Sequence, residues 1–132
     1  MKIWMRSACL IATTAVLVLT GCTPAAQSDV RAAAQRFQIA IRDHDDQAAC
    51  ALLSDQARSS LEATSARACP AALAALRLPG DHPTDIQVWG NNAQARLTGG
   101  PLFLAEFQAG WKITGAGCKP QTGGPYACAV RS

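Results

Sequence analysis

The sequence predicts an α+β domain whose N-terminal helices pack on an antiparallel sheet. Two textures carry the prediction: apolar residues recur at spacings of three and four through the first half, whereas β-branched and aromatic residues alternate with polar ones after Pro83. The textures follow one another without interleaving, which is the order of an α+β chain and not of a doubly wound parallel sheet.

The first helix is marked by Val30, Ala33, Ala34, Phe37, Ala40 and Ile41 on one side, with Arg31, Gln35, Gln38 and Arg42 on the other. Ser28 or Asp29 is available as its N-cap. Asp43-His44-Asp45-Asp46 interrupts the pattern, and Asp45 or Asp46 caps a second helix bearing Ala48, Ala49, Leu52 and Leu53. Ser54 or Asp55 opens a third stretch through Ala57 and Leu61. Pro70 suits the start of a fourth, Ala71 to Arg77, which Leu78-Pro79-Gly80 ends. A strand is expected from Thr84 to Trp89, a turn at Gly90-Asn91-Asn92, and a second strand on which Ala93, Ala95 and Leu97 alternate with polar residues. A turn at Thr98-Gly99-Gly100-Pro101 leads to a third strand, Leu102 to Gln108. Trp111 to Thr114 and Tyr126 to Val130 complete the set.

The start of the chain has a different character. Lys2 and Arg6 precede an apolar run from Ala8 to Leu19, the length of a signal-peptide core and shorter than the roughly 20 residues of a transmembrane helix. Leu19-Thr20-Gly21-Cys22 resembles the bacterial lipobox, which implies cleavage before Cys22 and acylation of its thiol. The expected organisation is a lipoprotein signal peptide at 1–21, a lipidated cysteine and extended polar tether at 22–28, and one domain at 29–131. Two or three acyl chains on one residue, at about 0.8 kcal/mol per buried CH₂, hold a protein stably on a membrane. Removing residues 1–21 from 132 leaves 111, enough for one core and not two. Ten basic and nine acidic groups then remain, a near-neutral balance that argues against a nucleic-acid partner.

Cys9 leaves with the leader and Cys22 goes to lipid, so Cys50, Cys69, Cys118 and Cys128 remain. Four cysteines in an oxidising compartment allow three pairings, of which the spacing favours the local ones, Cys50 with Cys69 and Cys118 with Cys128. CxxC and HxxxH spacings are both missing, so no metal and no cofactor is expected.

The order of an amphipathic helix, a charged turn, a cysteine-bearing helix and a meander containing Gly110-Trp111-Lys112-Ile113 resembles the nuclear transport factor 2-like, cystatin-type α+β roll, as found in small secreted lipoproteins of actinobacteria. The resemblance covers about residues 29–131 and implies a curved, cone-shaped sheet with Trp111 and Ile113 on its inner face. It also admits two kinds of function, because such rolls host both isomerases or dehydratases and members without catalysis.

Asp43-His44-Asp45-Asp46 and Asp81-His82-Pro83 read as solvated turns, since consecutive residues point in different directions. An isomerase would need an acid buried in the cone so that its pKa rises, and Glu106 and Asp85 are the strand acids available. Glu106 shares a strand face with Leu102 and Leu104, whereas Phe103, Ala105 and Phe107 share the opposite one. Trp89, Phe103, Glu106, Phe107 and Trp111 form the candidate pocket, with Tyr126 as a further aromatic; core filling is the competing role for the aromatic rings. The favoured expectation is a non-catalytic, membrane-anchored extracytoplasmic lipoprotein that binds a small apolar ligand or an envelope protein. The alternative is an envelope enzyme using Glu106 or Asp85 as base.

Overall fold

A computed structural model describes residues 24–132; the apolar leader, Cys9, the Leu19-to-Cys22 box and Thr23 lie outside the described residues. Four helices precede five strands: α1 (Pro24–Arg42), α2 (Asp46–Leu52), α3 (Asp55–Ser65), α4 (Cys69–Leu76), then β1 (Asp85–Trp89), β2 (Asn92–Leu97), β3 (Gly100–Phe107), β4 (Gly110–Gln121) and β5 (Gly124–Arg131). The strands form one antiparallel meander in the order β1-β2-β3-β4-β5, with the helices packed on it as an α+β fold.

The helix boundaries follow local chemistry. Asp45 accepts from the Ala48 amide at 3.1 Å and caps α2. Ser54 accepts from the Ala57 amide at 3.1 Å and caps α3. Pro70 sits in the first turn of α4, where its missing N–H costs nothing. The segment 24–28, expected as part of an extended tether, is instead the first turn and more of α1. Proline is well placed at a helix start, and Ala25, Ala26 and Gln27 are good helix formers, so the helix runs outward past Ser28 and Asp29.

The amphipathic pattern of α1 buries Val30, Ala33, Ala34, Phe37, Ala40 and Ile41 as its spacing requires. Gln38, expected on the polar side, is also buried, because α1 contacts both α2 and the sheet. Its Oε1 has no hydrogen-bond partner, and the residue lines a cavity of about 30 Å³ with Phe37, Leu102 and Ala116. Across the sheet, Val88 pairs with Ala93, Ala93 with Leu104 and Leu104 with Ile113, forming one row of the core-facing side. Trp111 and Ile113 are both buried on that side, and Leu53 crosses to bridge Ile113 in parallel.

β4 is far longer than the four-residue strand expected at Trp111 to Thr114. A register shift at Phe103/Leu104 re-aims it, and its second half pairs with β5 instead of β3. Cys50 joins Cys69 between α2 and α4, and Cys118 joins Cys128 between β4 and β5. Both disulfides fit an oxidising, extracytoplasmic setting. Among the described residues no helix is long and apolar enough to cross a membrane.

Candidate functional site

A groove of about 490 Å³ opens where the α2–α3 junction meets the β3–β4 hairpin. Leu53, Phe107 and Ala109 supply its apolar surface, and Ser54, Lys112 and Thr114 supply polar groups at its edge. The groove exists because β5 covers only the second half of β4. Along the first half, the edge of β4 is taken by the two residues between α2 and α3: the Ser54 amide donates to the Ile113 carbonyl at 2.8 Å, beside the Leu53–Ile113 bridge. Pairing that edge satisfies backbone groups that would otherwise be left open.

The polar groups are tied down. Ser54 is buried, accepts from the Ala57 amide and shares a 3.0 Å hydrogen bond with the Ser132 hydroxyl. Ser132 also donates its amide to the Thr114 carbonyl at 3.0 Å. Lys112 Nζ donates to the Ala51 carbonyl at 3.0 Å, which draws its methylene stem over the groove edge. Asp55 faces its own helix, with Arg58 at 3.4 Å. Phe107 is half exposed, at 50%, and is the largest apolar group left for a ligand to cover. An apolar floor with a few oriented donors and acceptors is the usual construction of a small-molecule binding site.

Of the five residues expected to form one pocket, only Phe107 lines this groove. Trp111 belongs to the core. Phe103 and Trp89 lie on the opposite, solvent-facing side of the sheet, where Phe103 packs on Tyr126 with ring centroids 5.7 Å apart. Glu106 keeps the parity of Leu102 and Leu104 but falls beyond the helix-covered part of β3 and is exposed. Asp85 is exposed too and accepts from Gln87 Nε2 at 3.5 Å. Neither carboxylate has the burial that a base in an apolar cone requires.

Both histidines, His44 and His82, are exposed, although Pro83 beside His82 is buried. Asp43 lies 3.8 Å from Arg42, Asp45 is the α2 cap, and His44 is exposed. His82 is 3.4 Å from Arg42. Among the described residues no group of three or more His, Cys, Asp or Glu is placed to hold a metal ion.

Leu53, Ser54 and Lys112 were missed as site residues because they come from segments far apart in sequence. The one trace was the alternation in Trp111-Lys112-Ile113, which puts Lys112 on the face away from the core. Comparison of the chain with protein-family models, with curated proteins and with solved structures finds no match.

Proposed function

We propose that this chain is an extracytoplasmic lipoprotein, tethered to the membrane through acylated Cys22, that binds a small apolar ligand in the groove between the α2–α3 junction and the β3–β4 hairpin. The observation that carries the reading is the groove itself, a mainly apolar recess bordered by polar groups already fixed by hydrogen bonds. Such a site is largely formed before the ligand arrives, so little ordering entropy opposes binding. The tether rests on the charged start, the apolar run and Leu19-Thr20-Gly21-Cys22. The paired cysteines agree with a location outside the reducing cytosol. Helices preceding a meander, with Trp111 and Ile113 inward, agree with the nuclear transport factor 2-like reading of the domain.

Two measurements test the proposal. Neutral N-phenyl-1-naphthylamine should brighten on binding the full chain, and Ala109→Arg, which places a charged chain in the groove, should abolish the signal while the fold persists. Equal binding by this variant overturns the groove assignment. Radiolabelled palmitate should mark the native chain and not Cys22→Ala; a Cys22→Ala chain that is labelled and sediments with membranes overturns the anchor.

A further inference from the structure

The described residues contain six aromatic side chains, and only Phe37 and Trp111 are buried. Trp89, Phe107 and Tyr126 are 49%, 50% and 43% exposed, and half-buried Phe103 lies against Tyr126. Burying one such ring stabilises a fold by about 1.5–3 kcal/mol. A chain with so few aromatics gains nothing for its own stability by holding most of them in water. A concentration of exposed rings on one side of a sheet marks a contact surface.

The residues between the rings indicate what the surface touches. Gln87 lies directly opposite Gln94, Gln94 opposite Phe103, and Trp89 opposite Asn92 in the strand ladder. Planar amides therefore alternate with aromatic faces. A lipid surface or a hydrophobic partner leaves such amides without partners and at a desolvation cost. A pyranose matches them, with an apolar C–H face for the rings and a rim of hydroxyls for the amides.

At one end of this face a recess of about 350 Å³ is lined by Gln94, Arg96, Thr98, Pro101, Pro120 and Tyr126. The Tyr126 ring packs on Phe103, and the strand is tied to β4 two residues on by the Cys118–Cys128 bridge. Among the described residues the only ion pairs are Arg42 with Asp43 and Arg58 with Asp55, so no carboxylate lies within ion-pair distance of Arg96. Asp85, its ladder partner, engages Gln87, and Asp81 accepts from the Gly99 amide at 3.1 Å. A guanidinium with no ion-pair contact, lining a recess with an aromatic ring, suits bidentate pairing with a carboxylate on the bound molecule.

We propose that the solvent-facing side of the sheet is a carbohydrate-binding surface for acidic oligosaccharides, with Tyr126 stacking on a sugar ring and Arg96 pairing with its carboxylate. Phe107 of the apolar groove lies on the same strand face, but the recess at Arg96 and Tyr126 shares no lining residue with that groove, and either site can fail without the other.

The test uses the full chain reconstituted in phosphatidylcholine vesicles, with hexagalacturonate as probe and maltohexaose as the neutral comparison. Hexagalacturonate should bind and shift the Trp89 emission, a signal that Trp89→Phe removes. Arg96→Gln and Tyr126→Ala should each weaken binding about ten-fold or more. Arg67→Gln, on the helical side, should leave it unchanged, and none of the variants should alter naphthylamine binding at the groove. Retained melting temperatures for the exposed-site variants separate loss of binding from loss of fold. Equal affinity for maltohexaose, insensitivity to Arg96→Gln, or no binding of either sugar overturns the proposal. So does a Trp89 shift produced by phosphatidylglycerol vesicles alone, which would assign the face to a lipid surface.

Discussion

Cutting the Cys50–Cys69 bridge tests how the groove is held. The bridge closes a loop with a sequence separation of 19, and loop-closure entropy at that length corresponds to about 3 kcal/mol. Both cysteines are buried between α2 and α4, so replacing them by alanine also removes two packed sulfur atoms and adds about 1 kcal/mol. A small domain has only about 5–15 kcal/mol in total. In urea, with a slope near 2 kcal/mol/M, the Cys50→Ala/Cys69→Ala chain should unfold about 1.5–2 M earlier than the parent, followed by the fluorescence of buried Trp111. The matching Cys118→Ala/Cys128→Ala chain, with a separation of 10, should lose about 2.7 kcal/mol from loop closure, plus the packing of the buried Cys118 sulfur. The two should differ at the groove. α2 leads straight into Leu53 and Ser54, which form one wall, so only the first variant should weaken naphthylamine binding below its unfolding midpoint. An unchanged midpoint in the first variant, or equal loss of probe binding in both, would refute the reasoning.

Two further substitutions probe local requirements. Ser54→Ala removes the α3 cap and the bond to Ser132 from a buried position, and should cost about 1–2 kcal/mol, read as a shift in the urea midpoint. Gly100 has φ +128° and a Cβ there would run into the Cys118 carbonyl, whereas Gly90 has φ +59° with nothing within 4 Å. Gly100→Ala should therefore cost about 3 kcal/mol or more and Gly90→Ala about 1 kcal/mol; equal thermal shifts would show that the close approach of β3 to Cys118 is not rigid.

Much of the secondary structure was legible because it is written in local chemistry. The caps at Asp45 and Ser54, the proline at the head of α4 and the turn residues at Gly90-Asn91 act over three or four positions, and each falls where those residues indicate. The length of β4 was not legible. Gly115-Ala116-Gly117-Cys118 has little intrinsic strand preference and is held by pairing with β5, a contact the local pattern does not contain. The outward run of α1 was missed for the opposite reason: Pro24 signals an extended segment and a helix start equally well.

The site divides along the same line. Alternation alone determined that Phe103 and Phe107 share one face of β3 while Leu102 and Leu104 share the other, and that Trp111 travels with Ile113. Which face the helices would cover is a property of the packed layers. Tertiary structure alone set Leu53 and Ser54 against the free edge of β4, ended the helix cover before Glu106, and left the aromatic face of the sheet in solvent. Parity and capping depend on neighbours along the chain, but a groove depends on where separate segments stop relative to one another, and that is decided only when they pack.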